Sequence, residues 1–126
     1  MMPGRILVLA PHPDDEVVGA AVAARRAMAA GAQVFALYLT TGVPAAGALW
    51  PWQRPRHGAR VRRRRAEASE AARFMGLTPA GFLDWPSRSL KSHLAEAEAA
   101  IARAIGDLVA NQCKREPLSC VKFVRC

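Results

Sequence analysis

The chain has 126 residues, a formal net charge of +8, and 52% hydrophobic against 22% charged residues. That length allows one domain with a core of its own, and the composition excludes a disordered or collagen-like chain. No apolar run approaches the ~18–20 residues of a membrane span, and the first strand begins too early for a secretory leader, so a soluble cytoplasmic protein is expected.

Residues 5–10 (RILVLA) read as a short, fully buried strand of the kind found in a parallel sheet covered on both faces. Residues 16–30 read as a helix, with Val17, Ala20, Ala21, Ala24 and Met28 at helical spacing and Gly31 as its stop. A second strand follows at 33–40 (QVFALYLT). This strand–helix–strand order predicts a βαβ unit and a parallel sheet. From 41 to about 58 the chain is rich in glycine and proline, which predicts a long functional or irregular loop. A second helix is expected over 59–75, with Ala68, Ala71, Ala72 and Met75 on one face and Gly76 closing it. A third strand is expected at 80–84 (AGFLD). A third helix over 90–110 is marked by Leu90, Leu94, Ala97, Ile101, Ile105 and Leu108. The expected fold class is therefore α/β.

After about Ala110 the texture changes. All three cysteines, Cys113, Cys120 and Cys126, fall in the last fourteen residues. Their spacing is not that of a zinc ribbon, and an odd number in a reducing compartment argues against a disulfide framework. The segment LSCVKFV could form a strand. The expected organisation is an α/β portion over 1–110 and an atypical cysteine-bearing tail over 111–126.

The densest acidic cluster of this basic chain, His12-Pro13-Asp14-Asp15-Glu16, stands at the end of the first strand. Ligands of open parallel sheets bind beyond the carboxyl ends of the strands. Pro13 stiffens the turn, and His12 and Asp15, three residues apart around it, can converge on one point. Imidazole plus carboxylate suits a divalent metal such as Zn²⁺. Asp14 would then be free to act as a base on a water whose pKa a zinc site can lower to ~7. The competing reading is structural, with Asp14 or Asp15 capping the following helix and Glu16 matching its dipole. A single acid would meet that need without His12. A dinucleotide site is disfavoured, because the turn has no glycine-rich loop and offers carboxylates where phosphates need N–H donors.

Seven arginines lie between Arg54 and Arg65, just after Trp50 and Trp52. They are either a solvated helix face or a patch that attracts RNA, acidic lipid or a phosphorylated substrate. A non-catalytic basic binding module using Arg54–Arg65 is thus the alternative to an enzyme, with nucleic acid the less favoured partner.

APHPDDE after a first strand resembles the signature of the PIG-L/LmbE-like family of zinc-dependent N-acetylglucosaminyl de-N-acetylases. LYLTTG (37–42) is similar to that family's second strand and T-x-G turn. Arg64-Arg65-Ala66-Glu67, followed by Met75-Gly76-Leu77, resembles its R-x-x-E helix, and FLDWPSRSL (82–90) its F-L-x-x-P-D-G-x-L stretch. The resemblance covers roughly residues 5 to 108. It implies a Rossmann-like three-layer sandwich and hydrolysis of the acetyl group of an N-acetylglucosamine-type amino sugar or glycoconjugate. It also implies Zn²⁺ or another divalent metal held by His12 and Asp15, with Asp14 as general base and Arg64 in the substrate pocket. His57 is a further candidate for the pocket mouth.

Two departures accompany the likeness. Pro86-Ser87-Arg88 stands where the family often has a P-D-G acid. The family's third zinc ligand, a histidine from an H-x-x-H type motif in the second half of a longer chain, has no counterpart. Only His57 and His93 follow His12, and neither stands in such a motif. The likeness stops near Leu108-Val109, so the expected fold is incomplete, with the tail arising from a shifted frame or early stop. Weak or absent activity and self-association through an uncovered sheet edge follow from that expectation.

Overall fold

Between Ile6 and Ala10 the first strand has no polar residue, and Leu7, Val8 and Ala10 are buried, as a strand covered on both faces requires. The computed structural model describes residues 4–110 and the backbone of 111–113 and 121–125. In chain order it forms β1 (Arg5–Ala10), α1 (Asp15–Ala29), β2 (Gln33–Pro44), α2 (His57–Met75), β3 (Thr78–Ser87), α3 (Leu94–Cys113) and β4 (Val121–Arg125). Short 3-10 turns cover Ala46–Ala48, Arg54–Arg56 and Leu90–His93. The strands pair in parallel in the order β3-β2-β1-β4.

The pleat divides the apolar residues between two faces. Ile6, Val8 and Ala10 of β1, with Val34, Ala36 and Tyr38 of β2, meet α1 and α2 through Ala20, Ala24, Ala68 and Ala72. Small side chains on the helix side let both helices lie close to the sheet. Leu7 and Leu9, with Phe35, Leu37 and Leu39, meet α3 through Ile101, Ala104, Ile105 and Leu108. The result is the three-layer α/β sandwich that the family resemblance implies. Each fully buried leucine or valine contributes ~1.5–3 kcal/mol to it.

Several boundaries differ from those expected. β2 runs on to Pro44 instead of ending near Thr40. Beyond Tyr38, its last residue in register with β1, β2 pairs only with β3, so Gly42 and Pro44 interrupt no ladder on the β1 side. That continuing pairing also lengthens β3 to Thr78–Ser87. The glycine- and proline-rich segment is therefore part strand and part 3-10 turn, and His57 is the first residue of α2 instead of a loop residue. His93 belongs to the 3-10 turn before α3.

α3 continues past Ala110 to Cys113, and β4 lies along β1 from Arg5↔Val121 to Leu9↔Arg125. The sheet edge thus falls on β4 and leaves β1 internal. Cys120 and Cys126 lie outside the described residues. Among the described residues no helix is long and apolar enough to cross a membrane.

Candidate active site

Strand order β3-β2-β1-β4 reverses direction at β1, and in open parallel sheets the crevice beyond such a reversal is where ligands bind. The turn His12–Glu16 occupies that position. Two hydrogen bonds tie its start to β2, since the Thr40 amide and hydroxyl both donate to the Pro11 carbonyl, at 3.1 and 2.7 Å. Gly42, with φ +71°, comes so close to the turn that a Cβ there would stand 3.0 Å from Pro13 Cδ.

His12 and Asp15 are brought together as expected. His12 Nδ1 lies 3.4 Å from Asp15 Oδ2, and the His12 amide donates to the same oxygen at 2.7 Å. Asp14, between them, is the N-cap residue of α1, yet its side chain makes no cap hydrogen bond. Capping therefore explains its place in the chain and not its carboxylate. Its φ of 104° is left-handed, a conformation that costs a non-glycine residue of order ~1–3 kcal/mol. Three bonds hold it there: its amide donates to Glu16 Oε2 at 3.0 Å, and its carbonyl accepts from Val17 and Val18 at 2.9 and 3.0 Å.

Glu16 is completely buried, which its reading as a dipole-matching first-turn acid did not anticipate. Its second oxygen accepts the Tyr38 hydroxyl at 2.8 Å. Burial, and then the adjacent Glu16 carboxyl, push the Tyr38 hydroxyl well above the ordinary tyrosine pKa. Tyr38 stacks on Phe82 with centroids 4.7 Å apart, and the Arg65 guanidinium sits 4.6 Å over the other partner of that stack, Phe82. Arg65 also donates to Asp84 at 3.0 Å. A continuous ladder thus runs from α2 through β3 and β2 to the turn. Its members Glu16, Tyr38, Phe82, Arg65 and Asp84 were not among the sequence-derived site residues. The one signal available was an acid immediately after Asp15 at the start of a helix.

Arg64 stands across from the turn, with Nη1 4.0 Å from Asp14 Oδ2. Together with Pro13, Glu16 and Glu67 it lines a small cavity of about 130 Å³ between α1 and α2. Glu67 pairs with Arg63 at 2.9 Å instead of with Arg64. Arg63, Arg64 and Arg65 thus each face an acid, so the arginine run is not one free cationic stripe. The His57 ring donates from Nε2 to the Pro44 carbonyl at 2.9 Å, and so closes the loop above the site without reaching the turn's carboxylates. His93 donates from Nδ1 to the Ser89 carbonyl and stacks on Trp85. At the end of β3, in place of the P-D-G acid, the Ser87 hydroxyl is buried without a partner.

One nitrogen and one carboxylate converging at a crevice suit a borderline divalent metal. Among the described residues no group of three or more His, Cys, Asp or Glu side chains is placed to hold one. Among the described residues the donor set fits a metal held by two protein ligands, His12 and Asp15.

The PIG-L family, described as GlcNAc-PI de-N-acetylase, matches residues 7–113. The chain belongs to that family. The PIG-L match covers the acidic turn, the TTG contact, the arginine-bearing α2 and all of α3. N,N′-diacetylchitobiose deacetylase from Pyrococcus horikoshii, in complex with its inhibitor, is 25% identical over 66% of this chain and 30% of its own, with a TM-score of 0.51. The 4-carboxy-2-hydroxymuconate hydratase GalB from Pseudomonas putida is 21% identical over 80% of this chain and 43% of its own, with a TM-score of 0.54, and shares the fold. The chain therefore spans less than half the length of each of these two structures. No curated protein matches it. The hydratase shows that this fold also carries chemistry other than deacetylation.

Proposed function

We propose that the chain carries the acid–base turn of a zinc-dependent deacetylase acting on an N-acetylated amino sugar of the N-acetylglucosamine type. The observation that carries this reading is the convergence of His12 and Asp15 to 3.4 Å with the uncapped Asp14 carboxylate between them, at the reversal point of the sheet. His12 and Asp15 would hold the metal, which when bound supplies a Lewis acid for the acetamide carbonyl and an acidified water.

The chain's own part is proton transfer and orientation. Asp14 takes a proton from the attacking water and returns it to the leaving amine. Its strained backbone, fixed through the Glu16 carboxyl, aims the carboxylate away from the α1 terminus that would otherwise engage it. Arg64, across the cavity, keeps a positive charge beside that carboxylate and beside the substrate. With two protein ligands among the described residues against the three of a usual catalytic zinc site, weak metal retention is the expectation.

The test uses the full chain with added zinc, and reads acetate released from N-acetylglucosamine and N,N′-diacetylchitobiose. Asp14→Asn lowers release by on the order of 10²–10⁴-fold without changing the metal bound, and Asp15→Ala lowers the metal itself. Stoichiometric zinc that survives dialysis and is indifferent to Asp15→Ala would overturn the ligand assignment. Unchanged acetate release by Asp14→Asn would overturn the base.

A further inference from the structure

From Val17 to Ala66 the chain has no acidic residue, and nine of its arginines fall in that span. Arg63, Arg64 and Arg65 each face an acid from elsewhere in the fold. Arg54, Arg56, Arg60 and Arg62 are exposed and form no ion pair among the described residues. Beside them stands a stretch with no charge at all. Residues 43–52 (VPAAGALWPW) end in Trp50 and Trp52, which are 65% and 70% exposed. The two indoles stack on each other at 5.2 Å with an interplanar angle of 7°. Large apolar rings held together in water call for a reason, because folding gains little from them there.

Hydrogen bonds hold the cations beside the rings. Arg54 Nε donates to the carbonyl of Leu49, the residue before Trp50, at 3.2 Å. The Gln53 amide donates to the Trp50 carbonyl at 2.8 Å and the Arg56 amide to the Gln53 carbonyl at 3.2 Å, so Arg56 follows the rings through two linked turns. Arg62 reaches back to the first turn of α2, where its Nη1 stands 3.4 Å from the place a Cβ on Gly58 would take. The His57–Pro44 bond shuts the base of the loop. The uncharged part is bonded internally as well. The Ala48 amide donates to the Ala45 carbonyl at 2.9 Å, the Leu49 amide to the Ala46 carbonyl at 3.2 Å, and the Trp50 amide to Gln53 Oε1 at 3.3 Å. Backbone groups already paired in this way lose little on leaving water.

We infer that residues 45–62 form a docking surface for an anionic lipid bilayer. Trp50 and Trp52 seat among the headgroups, and Arg54, Arg56, Arg60 and Arg62 lie against the negative surface. This inference is independent of the deacetylase reading. Indoles have an apolar body and one N–H donor, and they concentrate at the interface between membrane and water. Stable peripheral attachment takes two signals, and this segment has both an apolar contact and a basic patch. A nucleic acid fits less well. Its bases stack on open aromatic faces, whereas each indole here covers a face of the other. The alanine, leucine and proline side chains around them also offer nothing to a base edge. The same surface of a second copy is ruled out by charge, since arginines would meet arginines.

Co-sedimentation of the full chain with lipid vesicles tests the surface. The chain binds vesicles of phosphatidylcholine and phosphatidylserine mixed two to one, does not bind phosphatidylcholine alone, and is released by high salt. Binding shifts the tryptophan emission to the blue, and brominated phosphatidylcholine in the vesicles quenches it. In the Trp50→Phe/Trp52→Phe double variant Trp85 is the one remaining indole, and the shift disappears. Trp50→Ala and Trp52→Ala each weaken vesicle binding by on the order of tenfold. Arg54→Gln and Arg56→Gln each weaken it by about fivefold. The exposure of all four side chains keeps thermal unfolding at the parent temperature, which separates a lost contact from a lost fold. Absence of binding to the anionic vesicles, equal binding to the neutral ones, or binding with unshifted emission overturns the surface. So does vesicle binding indifferent to both alanine variants. Binding of polyuridylate through the same residues, with no binding of vesicles, gives the patch to RNA and overturns the bilayer.

Discussion

At the scale of the residue, the least expected feature is a carboxyl group with no exposure at all, held between a backbone amide and the chain's one tyrosine. Glu16 links the strained Asp14 backbone to the core, and the Tyr38 hydroxyl is half of what satisfies it. Tyr38→Phe removes that donor and leaves Glu16 Oε1 buried without a partner, which costs ~1–3 kcal/mol at neutral pH. The variant also changes the response to alkali. Burial and the Glu16 carboxyl raise the folded-state pKa of Tyr38 above its ordinary value of 10.0. The folded protein therefore keeps a proton that the unfolded chain gives up. The resulting stability is complete below pH 10 and falls away as pH climbs beyond it. Urea midpoints measured from pH 8 to 11 should fall more steeply above pH 10 for the parent than for Tyr38→Phe. Parallel curves would show that the tyrosine does not carry this dependence.

At the scale of the element, β2 reaches past the end of β1 and fixes the acidic turn from the side. Gly42 is where that contact is tightest. Alanine there would take up a left-handed φ of +71° and place a methyl 3.0 Å from Pro13 Cδ, within a ring that cannot swing aside. Gly42→Ala therefore costs ~1–3 kcal/mol in denaturant unfolding. On the proposed assignment of His12 and Asp15 as ligands, displacing the Pro13 turn also weakens zinc binding beyond what the stability loss explains. A variant that unfolds earlier but binds zinc like the parent would confine Gly42 to stability.

Much of this was legible in the chain and some was not, for physical reasons. β1 and the body of α1 follow from an unbroken apolar run and a glycine stop, both local signals. The outer halves of β2 and β3 do not, because Gly42, Pro44, Pro79 and Pro86 argue against strands unless the β2–β3 pairing is already known. The His12–Asp15 pair was readable because three residues of turn separate its members. Glu16–Tyr38 and Arg65–Asp84 were not, because 22 and 19 residues separate their members and only the register of packed elements brings them together.

At the scale of the whole molecule, the decisive element is the last one. β1 is the most apolar strand, with Leu7, Val8 and Ala10 all but inaccessible, and it pairs with β2 on one side and β4 on the other. Arg5 helps to close this arrangement, donating to the Leu108 carbonyl of α3 and to Gln33 Oε1 of β2. A chain ending at residue 113 keeps the whole PIG-L match and α3 but loses β4. The β1 amides and carbonyls that face Val121–Arg125 would then form an open edge on an apolar strand, a template for pairing with another copy. Size-exclusion chromatography over a concentration series should show the shortened chain moving to larger species while the full chain stays at lower mass. Larger species that retain far-ultraviolet dichroism are ordered edge pairing, whereas larger species that lose it are unfolded aggregate. If the shortened chain elutes like the full chain at every concentration, β4 does not protect β1, and the sheet is stable with β1 as its edge.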